Sequence, residues 1–192
     1  MNVMHKSEGM GVGCVEGASV DLSQLVQFLQ QSESSLSLAM ITLLLKNIKL
    51  NDSEISTLAL FDQQRYHRRY LYNDKNVQVL MLGWLNGQRS KIHDHVGSNC
   101  GVKVLRGTAT ETYFASADNK QIYATGSSQL KEGEITAGCN EDKHQISNLQ
   151  ADNKALITLH IYSPPLNDFN LYSLDSEKIE KPEQKDKWMY EI

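Results

Sequence analysis

Positive charge is not in excess in this 192-residue chain, where 19 Lys and Arg face 23 Asp and Glu for a formal net charge of -4. A nucleic-acid binder needs a basic footprint to track phosphates. The longest basic cluster, Arg65-Tyr66-His67-Arg68-Arg69, is too short to supply one, so nucleic acid is not an expected partner. Cysteine is also sparse: Cys14, Cys100 and Cys139 are widely and irregularly spaced. Neither a disulfide framework nor a CxxC zinc site is encoded, which fits a reducing compartment. A long apolar run is missing as well. The most apolar stretch, Leu36 to Leu45, is broken by serine and threonine and falls short of the roughly 20 apolar residues of a spanning helix. Met1 to Glu16 alternates glycine with polar residues and lacks the apolar centre of a signal peptide. A cytoplasmic protein with no membrane partner is expected, and a monomer is the default.

No repeat at solenoid spacing and no linker divides the chain. Residues 1–18 are expected as a flexible N-terminal segment, 19–174 as one domain, and 175–192 as a polar C-terminal tail. Only Trp188-Met189-Tyr190 in that tail has the character to dock on the domain. Within the domain the apolar period is first helical. Leu22, Leu25, Val26 and Leu29 fall at i, i+3, i+4 and i+7 behind a possible N-cap at Asp21. Further helices are expected over Leu36 to Ile48 and from the capping pair Asp52-Ser53 through Leu60.

After Tyr66 the period changes to two. Strands are expected at Tyr66 to Tyr72, Val77 to Trp84, Ile92 to His95, Gly101 to Leu105, Thr108 to Phe114, Gln121 to Thr125, Gln145 to Leu149 and Ala155 to Tyr162. Many short strands behind an N-terminal helical cap describe a mainly β sandwich or barrel.

Two constellations carry chemistry. In Ile92-His93-Asp94-His95 the two histidines share one strand face while Asp94 points to the other, so two imidazoles converge. Such a pair suits iron, zinc, copper or nickel, although an isolated pair is more often a feature of a surface strand. In Thr158-Leu159-His160-Ile161-Tyr162 a polar row alternates with an apolar one. Three hydrogen-bonding side chains on an inner face need partners, whereas on an edge strand they would simply face water.

The flanking residues decide between these readings. Gly87, His93, His95 and Gly107 stand at the spacing of the first cupin motif, with five residues between Gly87 and His93 and eleven between His95 and Gly107. Gly133 followed by His144-x-x-x-Asn148 resembles part of the second motif, with Cys139 and Glu141 in place of its proline and glycine. The resemblance implies a jelly-roll-like cupin barrel and makes His144 the third metal ligand. Cys100 stands where most metal-binding cupins have a glutamate ligand.

The chain further resembles the cysteine dioxygenase family. The resemblance rests on His93-Asp94-His95, Cys100, His144-x-x-x-Asn148 and His160-Ile161-Tyr162-Ser163-Pro164-Pro165, in order, with Thr158 where serine is usual. Tyr66-His67-Arg68 is similar to the family's Tyr-x-Arg segment. This implies Fe(II) held by His93, His95 and His144, with free cysteine and O2 as substrates and cysteine sulfinate as product. It also implies a carboxylate clamp at Arg68 aided by Tyr66, catalytic roles for Tyr162, His160 and Thr158, and a Cys100–Tyr162 thioether. Three neutral imidazoles leave Fe(II) its full charge, which an incoming thiolate would neutralise. A 3-mercaptopropionate or cysteamine dioxygenase, and a metal-binding cupin without turnover, are the open alternatives.

Overall fold

A computed structural model describes residues 19–182, apart from the side chains of Asn140 and Glu141. The expectations for residues 1–18 and for Trp188-Met189-Tyr190 lie outside the described residues.

Helix α1 spans Leu22–Gln30, with Asp21 and Gln24 forming a reciprocal capping box. Helix α2 spans Leu38–Asn47, capped by Ser37. Helix α3 covers Asp52–Leu58, and its cap is Asn51 rather than the Asp52-Ser53 pair. The Asn51 side chain accepts from the Glu54 amide while Glu54 returns a bond to the Asn51 amide, so the helix starts there. It ends before Leu60, which is exposed. None of the described helices is long and apolar enough to cross a membrane.

Nine strands follow among the described residues: β1 His67–Asn73, β2 Gln78–Trp84, β3 Ile92–Arg106, β4 Thr108–Ser116, β5 Ile122–Lys131, β6 Ile135–Ser147, β7 Leu156–Ser163, β8 Leu171–Ser173 and β9 Ser176–Glu180. Their pairings are antiparallel, in the order β1-β2-β7-β3-β6-β4-β5, with β8 joined to β3 and β9 to β8. The fold is mainly β and of the cupin type, although no pair among the described strands closes the path from β1 to β5.

Several strand boundaries differ from the sequence expectation. Ile92–His95 and Gly101–Leu105 are two ends of one strand, β3. The Val96-Gly97-Ser98 stretch between them reads as a turn, yet the chain only bulges there, with Gly97 at φ +75 and register shifts on either side of His95. Gln145–Ser147 is the last part of a strand that begins at Ile135. Ser176–Glu180, expected within the polar tail, pairs with β8; all its side chains are exposed, so no apolar alternation announces it.

The two motif glycines Gly87 and Gly107 have φ of +84 and +86, backbone geometry that a side chain would strain. They turn the chain into and out of β3, the strand that carries both histidines.

Alternation along the central strands divides the interior into two layers. Val79, Met81, Leu159 and Ile161 face the helical cap and pack with Leu25, Leu29, Ile41 and Leu45. Leu80, Leu82, Trp84, Val102, Val104, Cys100 and Tyr162 face the other way and form the inner core. The cap is tied down by polar contacts too. Lys103, buried on the cap side, donates to the carbonyls of Leu45 and Ile48 at 2.8 Å each, satisfying the end of α2. Ser163 accepts from the Leu36 amide and donates to the Asn76 carbonyl, both at 2.7 Å.

The segment leading from α3 to Tyr66 crosses β2 at Gly83, where an added Cβ would stand 2.1 Å from the Leu60 carbonyl oxygen. Backbone cannot step aside as a flexible side chain can. Gly83→Ala is therefore expected to destabilise the fold by about 1–3 kcal/mol, read as a lower urea midpoint at unchanged slope.

Candidate metal centre

Strand pairing brings the three predicted ligand histidines together. His93 on β3 lies directly opposite His144 on β6, and His95, two residues further along the same strand, turns its ring toward the same point. All three are buried, with ring centroids 4.7–5.0 Å apart and ligand atoms within 4.8 Å of one another.

Hydrogen bonds orient two of the rings. His93 Nδ1 lies 2.9 Å from the Lys91 carbonyl, and His144 Nδ1 lies 2.6 Å from Glu111 Oε1. Both partners are acceptors, so each Nδ1 carries the proton and each Nε2 lone pair is left for the centre. His144 Nε2 then faces His95 Nε2 at 3.2 Å. Two imidazole nitrogens at that spacing match donors sharing one ion at about 2.1 Å. His95 Nδ1 has no hydrogen-bond partner.

Electrostatics supports neutral ligands. Burial, reinforced by the neighbouring histidines, holds the pKa of His93 and His95 well below the ordinary imidazole value. The donor set therefore fits a divalent transition metal, iron included.

The polar row of β7 is fully partnered. Trp84 Nε1 donates to Thr158 Oγ1 at 2.9 Å, Thr158 Oγ1 lies 2.8 Å from His160 Nε2, and His160 Nδ1 lies 3.1 Å from the Tyr162 hydroxyl. Indole N–H can only donate. The arrangement that leaves no buried proton unpaired has Thr158 donating to His160 and His160 donating to Tyr162. Tyr162 then keeps its own proton to give. Burial and Arg68 push the pKa of His160 down to about 3, and burial raises that of Tyr162 well above the phenol range. Both are neutral in ordinary buffers.

A void of about 10 Å³ has His93, His144, His160 and Tyr162 among its lining residues, so the polar row and the histidine cluster border one space. Cys100 sits directly opposite Tyr162 across β3 and β7, and the two side chains are hydrogen-bonded. Burial raises the Cys100 pKa far above the usual thiol value, so it is a thiol rather than an anionic ligand.

On β1, Arg68 lies opposite Leu82, which lies opposite Thr158, so Arg68 belongs to the inner face. Its charge reaches both His160 and Tyr162. Arg69 points to the other face and donates to the Thr57 and Leu58 carbonyls at the end of α3. Tyr66, just before β1, is buried and stacks on Trp84 with centroids 4.1 Å apart.

Asp94 has a different task from its neighbours. Its carboxylate accepts from the Asn170 amide, the Asn170 side chain and the Tyr172 hydroxyl at 2.6–2.7 Å, fastening β8 to the ligand strand. Asn148 of the second motif is wholly buried and donates to the Trp84 and Lys154 carbonyls, which makes it a turn clamp.

Two residues at the site were not singled out in the sequence. Trp84 reads as the apolar end of a core strand, and Glu111 reads as one polar residue in the alternation of β4. The available signal for Glu111 was its parity, since it shares a face with the buried Ala109. Burial pushes the Glu111 pKa up, but hydrogen bonds from His144, Tyr113 and Thr136 outweigh this and hold it below the ordinary carboxylate value.

Fold and cluster together define a cupin whose inner face presents three histidines able to hold a metal. An uncharacterized conserved protein with a double-stranded β-helix domain from Klebsiella pneumoniae superposes with a TM-score of 0.50 at 15% identity, covering 65% of this chain and 99% of that one. That likeness concerns the fold. The sequence profile of cysteine dioxygenase type I matches residues 14–175, and the chain belongs to that family. It is similar to cysteine dioxygenase type 1 of Homo sapiens, at 29% identity over 153 residues and 76% of each chain. The Danio rerio protein of the same name is 32% identical over 75% of each chain. The Bos taurus protein is 34% identical over 122 residues, which span 61% of this chain and 60% of that one.

Replacing His144 with Ala is expected to abolish tight binding of a divalent transition metal, measured by anaerobic titration. Full retention of the metal by that variant would remove His144 from the ligand set.

Proposed function

We propose that this chain oxidises the sulfur of free L-cysteine with O2 to cysteine sulfinate, using Fe(II) held by His93, His95 and His144. The observation that carries this reading is the void shared by the histidine cluster and the Tyr162–His160 row, with Arg68 on the same inner face. Ferrous iron, when bound, supplies the activation of O2 and of the substrate sulfur.

The chain's own residues supply orientation and protons. Arg68 holds the substrate carboxylate through its planar guanidinium, with the Tyr66 hydroxyl as an added contact. Histidine ligands without charge favour an anionic sulfur beside them. Tyr162 donates its proton to oxygen or substrate bound beside the histidine cluster, while His160, Thr158 and Trp84 fix the direction of that donation. The buried inner face excludes bulk water from the reacting groups. A reducing cytoplasmic setting suits a free thiol substrate.

Arginine at position 68 favours thiols that carry a carboxylate over cysteamine, which lacks one. Arg68→Gln is expected to raise the apparent Michaelis constant for cysteine by a factor corresponding to about 1.5–3 kcal/mol. Cysteamine turnover, scored by oxygen consumption, should change little. An unchanged cysteine response would remove Arg68 from the clamp.

The facing pair Cys100 and Tyr162 forms a thioether during turnover in this reading, which their pairing across β3 and β7 supports. A C–S bond would replace the thiol S–H and a ring C–H, the two protons and two electrons passing to O2, which leaves as hydrogen peroxide. Intact-mass analysis is expected to show a species lighter by two hydrogen atoms that survives reductant and accumulates with cysteine, iron and oxygen. Cys100→Ser should lack it yet retain measurable activity. A repeatedly cycled protein in which Cys100 still alkylates fully after denaturation would assign Cys100 to packing alone.

A further inference from the structure

The histidine cluster contributes no negative charge, yet a carboxylate is buried one hydrogen bond away. Glu111 is 3% exposed. Its Oε1 lies 2.6 Å from His144 Nδ1, and its Oε2 accepts from the Tyr113 hydroxyl at 2.9 Å. Tyr113 is itself held by Ser128 at 3.0 Å, and Thr136 adds a further hydrogen bond to the carboxylate. Burying a carboxylate is costly unless its oxygens are met by donors, and β4 and β6 provide them while Ser128 on β5 steadies Tyr113. The other two histidines have no such partner: His93 Nδ1 meets a neutral carbonyl, and His95 Nδ1 meets nothing.

We infer that Glu111 is a positioning residue of the metal site, acting through His144 to fix its ring and to supply the anionic charge that the histidine-only set lacks. The inference rests on the reading of His93, His95 and His144 as Fe(II) ligands. A charge-assisted bond to Nδ1 selects the tautomer with Nε2 facing the centre and makes that nitrogen a stronger donor. It also brings negative charge close to the ion without occupying a coordination position, which favours Fe(III) relative to Fe(II).

Glu111→Gln separates charge from shape, because the amide keeps the length and an acceptor oxygen for His144. The experiment compares wild type, Glu111→Gln and His144→Ala, each checked for folding by circular dichroism. It measures anaerobic Fe(II) affinity by calorimetry and the midpoint potential of the iron-loaded protein. A folded Glu111→Gln protein is expected to bind Fe(II) about 10–100-fold more weakly and to have a more positive potential. Unchanged affinity and potential would overturn the inference and leave Glu111 as a buried structural carboxylate. If Glu111→Gln does not fold, Tyr113→Phe decides, since it loosens the carboxylate at a partly exposed position. A several-fold weaker affinity with a positive potential shift supports the inference, and wild-type behaviour overturns it. Failure of wild type to bind Fe(II), or equal binding by His144→Ala, would instead sink the metal-site reading on which the inference stands.

Discussion

Three imidazoles packed within 5.0 Å of one another, out of reach of water, set the terms for the inner end of this sheet. Each ring brings two nitrogens that lose hydration on burial, and each nitrogen needs a partner or an ion. The Lys91 carbonyl and the Glu111 carboxylate take two of them. His144 Nε2 and His95 Nε2 meet at 3.2 Å, a spacing that suits a hydrogen bond or a shared cation, and His95 Nδ1 is left without a partner. The Asp94 fastening of β8 follows from the same need, because it holds the backbone that aims the rings.

A single strand layer separates this polar centre from the apolar contacts that stabilise the fold. In β7, Leu159 and Ile161 pack under the helical cap while Thr158, His160 and Tyr162 line the inner face, so packing and chemistry alternate residue by residue. The cap has a direct bearing on the inner face. The segment after α3 passes over Gly83 before delivering Tyr66 and Arg68, and Ser163 links the loop before α2 to the end of the strand that carries Tyr162.

The elements that were legible in the sequence are those whose side chains repeat at the period of their secondary structure. The helices of the cap, the pair His93 and His95, and the row Thr158, His160 and Tyr162 all announce themselves in this way. Less visible were features fixed by partners distant in sequence. Glu111 looks like any polar residue of a half-exposed strand until β6 brings His144 against it. Trp84 looks like core until β7 places Thr158 at its indole nitrogen. The continuity of β3 and the early start of β6 were hidden because Val96-Gly97-Ser98 and the polar stretch around Asp142 have turn-like composition, while the backbone there bulges without leaving its partner.

Thr158 carries one further implication. Threonine is branched at Cβ, and here the whole residue is buried at 0% exposure. A serine hydroxyl can sample several rotamers, whereas the γ-methyl of Thr158, enclosed by the inner core, leaves its oxygen one direction between Trp84 and His160. The orientational entropy of the row is thereby surrendered once, when the chain folds, and the direction of the Tyr162 hydroxyl is set with it.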